Sequence, residues 1–185
     1  MPEEVRLRKA VEAAFAKKSF MTLATVSAAQ RPHVAGVLYA AVDGILYVGT
    51  NMHSRKVRNI EANAHVGVCV PVRRLPVGPP ATIMFQGSAE ALARDDATLL
   101  AALDDGRLRR ITSHGELDDP DNWFVRITPV GRINTFGLGV PLLDLIRHPL
   151  DTAGSLAWVA TRSSDERAGA VERVASGGAG GQGTR

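Results

Sequence analysis

Asp43-Gly44 separates two apolar, β-rich runs, PHVAGVLYAAV and ILYVGT. An aspartate–glycine pair tolerates the positive φ angles that a two-residue hairpin turn requires. The pair therefore commits this part of the chain to neighbouring antiparallel strands. Runs of similar character lie on either side: FMTLATVS (20–27), HVGVCVPV (65–72), TIMFQGSAEALA (82–93) and WFVRITPVGRINTF (123–136). The last is read as a strand pair or one bent strand. Pro32 suits the start of a strand, where its missing N–H is harmless, and Gly87 predicts a bend or bulge. Three stretches switch to helical spacing. Residues 3–18 place Val5, Leu7, Val11, Ala14 and Phe15 on one face. Residues 51–63 place Val57, Ile60 and Ala64 likewise, with Ser54 as the cap, and residues 95–104 follow an acidic cap. Residues 28–31, 73–80 and 113–122 read as turns or loops. Five or six strands with short helices between them predict an α+β domain built on an antiparallel barrel.

Composition narrows the class of partner. The 185 residues carry 22 Lys and Arg against 19 Asp and Glu, a net charge of +3. One unit of that surplus lies in residues 161–185, where four arginines face three acids. A polyanion-binding surface needs a denser cluster than the remainder supplies. Aromatic residues are only 5% of the chain, too few for base-stacking platforms. Nucleic acid is therefore not an expected partner. No apolar run reaches the ~18 residues of a membrane span, so no membrane partner is expected. MPEEVRLRKAVEAAF lacks the apolar core of a secretory signal. A single cysteine, Cys69, forms no internal disulfide and suits a cytoplasmic setting. Residues 138–160 hold Leu142, Leu143, Leu145, Ile146, Leu156 and Trp158, enough to pack on the body. The closing ASGGAGGQGTR is too poor in apolar surface to offset its ordering entropy. The expected division is a folded domain at 1–160 and a disordered Gly-rich tail at 161–185.

The stretch YVGTNMHSRKVRNIEAN carries the most chemistry. A strand ends, a short polar turn follows, and a helix begins. Amide groups at a helix start point outward with partial positive charge and attract anions. Thr50, Asn51, Ser54, Arg55 and Lys56 add hydroxyl, amide, guanidinium and ammonium donors at the same place. A phosphate pocket and a solvated basic helix face are the two readings of this pattern.

The same run, TNMHSRKVRNIEAN, resembles the signature of the pyridoxamine 5′-phosphate oxidase-like, FMN-binding split-barrel family. The preceding ATVSAAQRPHVAGVLYAAVDGILYVGT resembles that family's first hairpins, and HVGVCVPV and FQGSAEAL resemble later barrel strands. The resemblance covers about residues 15–135. It implies a split β-barrel, a six-stranded antiparallel barrel with short flanking helices. It implies that Arg55 and Lys56 hold a cofactor phosphate, with Thr50, Asn51 and Ser54 assisting and Asn59 a further candidate. It places His33, Val34 and Ala35, within the run from Pro32 to Val37, beneath the cofactor ring. FMN is the implied cofactor, with the deazaflavin coenzyme F-420 as the alternative. A homodimer and a small-molecule substrate follow from the same resemblance. The second strand carries AGVLYAAV, without Arg or Lys, where authentic pyridoxamine phosphate oxidases have basic residues. The expected function is accordingly hydride transfer by a small flavin- or deazaflavin-dependent oxidoreductase. The alternative is a non-catalytic carrier or sensor of flavin, haem or coenzyme F-420.

The remaining chemistry-bearing residues give weaker signals. The five histidines lack metal-ligand spacing, so no metal site is expected. His53 lies in the basic turn as a possible anion donor. Cys69 reads as a small buried hydrophobe, and Arg107, Arg109 and Arg110 as a solvated face. No residue is assigned as a general acid.

Overall fold

The computed structural model describes residues 3–73, 81–113 and 115–158. Helix α1 (Glu3–Lys17) leads into β1 (Phe20–Val26), β2 (Pro32–Leu38), β3 (Ala40–Val42) and β4 (Ile45–Asn51). Then come α2 (Arg55–Ala62), β5 (His65–Val72), β6 (Ala81–Leu92) and α3 (Ala97–Asp104). A 3-10 turn at Arg109–Ile111 precedes β7 (Asn122–Phe136), which is followed by α4 (Leu142–Arg147) and β8 (Ala153–Ala157). The strands form one antiparallel sheet in the order β2-β1-β5-β6-β7-β4-β3, with β8 on the far end of β7. The six long strands match the expected barrel, and the short β3 and β8 are additional.

The predicted run from Pro32 to Val42 is broken at one residue. Tyr39 ends β2 and starts the passage to β3, yet β2 pairs with β1 and β3 pairs with β4. These two strands lie at opposite ends of the hydrogen-bonded row. One residue thus joins the two edges and curls the sheet into a barrel. Tyr39 is fully buried, and its amide donates to the Ser19 carbonyl at 2.8 Å. The Asp43-Gly44 hairpin forms as read, with φ of 51° and 81° at its two turn residues.

Alternate residues fill the interior. Met21, Leu23, Leu46, Val48, Val66, Val68, Val70, Ile83, Phe85, Val125, Ile127 and Ile133 form the main core. Phe15 of α1 meets Phe85 and Trp158 edge-on, at 5.9 and 5.8 Å between ring centres. A smaller core lies on the outer side of β3, β4 and β7, where Leu99 and Ala102 of α3 cover Tyr47 and Phe124. Asp96 caps α3 by accepting from the amides of Thr98 and Leu99. Burial alone would raise the Asp96 pKa, but those hydrogen bonds and the Arg126 charge outweigh it and hold the carboxyl below its ordinary value.

Three local expectations change. Gly87 stays in register opposite Pro129, and the bulge lies on β7 instead. Pairing jumps from Gln86–Val130 to Phe85–Ile133, leaving Gly131 and Arg132 of β7 without partners on β6. Gly131 supplies the positive φ, 74°, that this bulge uses. Gly87 is needed for close approach: a Cβ there would stand 3.1 Å from the Ile127 side chain and the Thr128 carbonyl. Arg107 is not simply solvated, because it bridges Asp43 at 2.9 Å and Asp105 at 2.8 Å. Of the C-terminal apolar residues, Leu156 and Trp158 join the core and Leu143 is exposed. The Leu142, Leu145 and Ile146 side chains, most of the loop at 73–80, the boundary at residue 160 and the proposed tail lie outside what is described.

The Tyr39 hydroxyl is buried with no hydrogen-bond partner among the described residues, and burial pushes its pKa well up. An unsatisfied buried hydroxyl costs about 1–3 kcal/mol. Tyr39→Phe is therefore expected to raise the urea unfolding midpoint with no change in slope. A fall in the midpoint would show that the hydroxyl is bonded in solution.

Candidate functional site

The site begins where β4 runs out. Thr50 is buried opposite Trp123, and Asn51 pairs with Asn122 at the last ladder position. The Asn51 side chain turns back to accept the His53 amide at 2.8 Å. The Ser54 amide donates to the Asn51 carbonyl at 3.0 Å, so the turn closes tightly before α2. Arg58 reaches back from the helix to the His53 carbonyl at 2.7 Å. The His53 imidazole is exposed, 4.0 Å from Asp121.

Helix α2 starts with an electrostatic conflict. Ser54 has the extended backbone of an N-cap, but its hydroxyl makes no cap bond. That hydroxyl oxygen is buried and has no partner among the described residues. The first turn contains no acid, while Arg55, Lys56 and Arg58 stand near the positive end of the helix dipole. Cations there are disfavoured and anions favoured. Arg55 is exposed. Lys56 is half-buried, and desolvation lowers its pKa. No ion pair holds Lys56 among the described residues.

Lys56 faces a cavity of about 250 Å³. Gly36, Val37 and Leu38 of β2, Gly49 of β4, Ile111 and Glu116 complete the wall. This cavity lies at the seam where β2 approaches β4 without backbone pairing. Both glycines matter to its shape. A Cβ on Gly36 would stand 2.9 Å from the Phe20 ring, and one on Gly49 would stand 3.4 Å from the Ile111 carbonyl.

The other expected residues distribute over two faces of β2. His33 and Ala35 point the same way as inward-facing Thr25 and Leu23, their register partners. The His33 Nδ1 is buried and unpartnered among the described residues. Asn59 is buried and donates to Thr25 Oγ1 at 2.9 Å, tying α2 to β1. Val34 points outward and is 62% exposed. It borders a groove of about 650 Å³ over β1, β5, β6 and β7. The groove floor is made of small residues, Ala24, Gly67 and Cys69, with Met84 and Val130 on the rim and Gln86, Arg132 and Asn134 supplying polar groups. Cys69 is only half-buried there, and burial pushes its thiol pKa up. Phe20, Val34, Leu38, Met84 and Val130 leave this face with large exposed apolar side chains.

The structure therefore brings Lys56 together with β2 and leaves Arg55 outside the cavity wall. Asn51 and Asn59 are engaged within the protein. Glu116, Gly49 and Ile111 are cavity residues that the sequence reading did not include. Gly49, a glycine just before a strand end, was the one local signal among them. Among the described residues no cluster of three His, Cys, Asp or Glu side chains is placed to hold a metal ion. No described helix is long and apolar enough to cross a membrane.

The family model for pyridoxamine 5′-phosphate oxidase matches residues 7–131. No curated protein matches the chain. Among solved structures, the heme storage protein HutZ from Vibrio cholerae is 20% identical, with a TM-score of 0.61. That match covers 73% of this chain and 98% of HutZ. A heme binding protein from Mycobacterium smegmatis is 17% identical with a TM-score of 0.62, covering 85% of this chain and 59% of that one. An FAD-binding protein from Mesorhizobium loti is 22% identical with a TM-score of 0.54, covering 66% and 87% respectively. At these identities the likeness is one of fold.

The lowered Lys56 pKa has a consequence for stability. Its charged form is disfavoured in the folded state, so the cost is present at neutral pH and is relieved as pH rises through the folded-state pKa. Lys56→Met is expected to raise the urea midpoint of the ligand-free protein at pH 7. The gain over wild type should shrink as the medium becomes alkaline. A lower midpoint for the variant at pH 7 would contradict the desolvated, unpaired lysine.

Proposed function

This chain belongs to the pyridoxamine 5′-phosphate oxidase family, and from that premise we propose that it is an FMN-dependent oxidoreductase acting on a small organic substrate. Coenzyme F-420 is the alternative cofactor. The observation that carries the reading is Lys56: a half-buried cation without an ion pair among the described residues, at a helix N-terminus, facing a cavity. A phosphate placed there would satisfy the ammonium and the first-turn amides together. It would also reverse the like-charge crowding of Arg55, Lys56 and Arg58.

The residues present fit such a group. Ser54 Oγ is a buried polar atom without a partner among the described residues, at the cap of the helix that carries Lys56. A cavity of 250 Å³ falls below the roughly 300–1,000 Å³ of a whole ligand site. It suits the phosphate end of a cofactor, with the ring extending along β2. When bound, the flavin ring accepts or donates hydride, and the protein supplies anchorage, orientation and exclusion of water. In this reading Lys56 and Ser54 hold the phosphate, and the Gly36 and Gly49 backbones give the ligand close approach. The apolar residues of the outer face keep the ring's surroundings dry.

The same outer face supports a homodimer. Five large apolar side chains lie exposed across one unpartnered sheet face, which in a monomer would be costly to hydrate. A second copy is the occupant proposed for it, continuous with the cofactor cavity through Gly36 and Leu38. Met84→Glu combined with Val130→Glu should convert a two-chain species into a one-chain species in sedimentation experiments. A wild-type protein that sediments as one chain at micromolar concentration would remove this part of the proposal.

The rival is a non-catalytic carrier of the same fold. Two structural neighbours are named for heme. Against a histidine-ligated haem here, no described histidine lines the Lys56 cavity or the large groove. Turnover separates the readings: a bound flavin that no donor reduces would favour the carrier. Binding itself is tested by titrating the protein with FMN and with coenzyme F-420. Lys56→Ala is expected to weaken FMN binding by about 1.5–3 kcal/mol, the range for hydrogen bonds to charged groups. The exposed Arg55, replaced by Ala, should cost less. Unchanged affinity in both variants would overturn the phosphate assignment.

A further inference from the structure

A second cavity, of about 390 Å³, lies between α1 and the Asp43-Gly44 hairpin, with Trp158 as its third wall. It shares no lining residue with the Lys56 cavity or the large groove. Its volume falls within the roughly 300–1,000 Å³ of small-molecule sites. Arg8, Glu12 and Ala16 follow one another a turn apart along α1, with Phe15 beside them. Ala41, Asp43 and Gly44 form the facing wall.

These walls are packed against one another. Trp158 is 6% exposed, and its indole meets Phe15 edge-on. A Cβ on Gly44 would stand 2.9 Å from the indole, so the hairpin turn rests directly on it. The Arg8 guanidinium lies 5.3 Å from the indole ring centre and donates to the Ala157 carbonyl at 2.6 Å.

The polar groups of the cavity are incompletely matched. Trp158 Nε1 is buried and has no hydrogen-bond partner among the described residues. An indole N–H is a donor only, so what it lacks is an acceptor. The Arg8 guanidinium has five N–H groups, and the Ala157 carbonyl engages one nitrogen. Arg8 and Glu12 have the i,i+4 spacing of a helix ion pair. Arg8 turns to the indole instead, and Glu12 has no ion pair among the described residues. Asp43 is bridged to Arg107 through Oδ2. Donors thus gather at the Trp158 end, and two carboxylates stand on the α1 and hairpin walls. A simple anion would meet Glu12, and a simple amine would leave the indole N–H unpaired. A molecule that carries a carboxylate and an ammonium together answers both groups.

We propose that this cavity binds a small zwitterion, an α-amino acid with an apolar side chain. Its carboxylate accepts from Trp158 Nε1 and the Arg8 guanidinium. Its ammonium donates to Glu12 and Asp43. Its side chain packs against Phe15, Ala16 and Ala41. The site is separate from the cofactor cavity and does not depend on what that cavity holds.

Calorimetric titration of the full-length protein tests this with L-leucine and L-phenylalanine. Each is compared with the amine that lacks its carboxylate and with the acid that lacks its ammonium. At least one amino acid is expected to bind about tenfold more tightly than both of its analogues. Glu12→Gln, at an exposed helix position, should weaken that amino acid and its amine by about tenfold and leave the acid unchanged. Arg8→Gln should weaken the amino acid and the acid and leave the amine unchanged. The proposal is overturned if wild type binds neither amino acid, or binds either analogue as tightly as its amino acid. It is equally overturned if Glu12→Gln binds the amino acid as wild type does.

Discussion

The covalent closure at Tyr39 governs the rest of the architecture. β2 and β3 are one stretch of chain, yet they form opposite edges of the hydrogen-bonded row. A single residue must therefore bridge the sheet from edge to edge, and the sheet has to curl. Closure through a side-chain-filled corner, without backbone pairing between β2 and β4, leaves a seam. The seam is where the glycine backbones of Gly36 and Gly49 face each other across open volume, with the start of α2 at its end. The cavity is thus a consequence of how the barrel closes. Filling that corner buries the Tyr39 hydroxyl without a hydrogen-bond partner among the described residues.

A second constraint acts at the end of that seam. Proteins usually place acids at a helix start, because the dipole rewards them. Here three cations occupy the first turn or its neighbourhood, Ser54 leaves its hydroxyl unused, and Lys56 is partly stripped of water. Each of these features lowers the stability of the isolated protein slightly. Together they describe a region whose local energetics improve when an anion arrives. Stability and binding are set against each other at one residue, Lys56.

Much of this was legible in the sequence because the signals are local. The aspartate–glycine turn, the period-two runs and the strand–turn–helix basic motif each depend on a few neighbouring residues. The break at Tyr39 was not legible, since AGVLYAAV is continuously apolar and its two halves differ only in distant partners. The bulge was assigned to Gly87 because a glycine inside a strand signals irregularity. The irregularity belongs to Gly131, whose PVGR context equally suits a turn. Asn59 carries the right chemistry for a ligand, but its amide is spent on Thr25, a residue 34 positions away. Glu116 is the converse case: nothing around it marks a polar loop as part of a site, and only the tertiary anchors from Arg94 and Met52 bring it to the cavity wall.

Those anchors have an evolutionary meaning. Arg94 and the Met52 amide hold the 115–122 segment by its carbonyl oxygens, and every residue type has one. The path of the segment is thereby decoupled from most of its side chains. Substitution at position 116 can change what faces the cavity while the loop keeps its course. Such a design lets the lining of the cavity vary at one position with the barrel left intact.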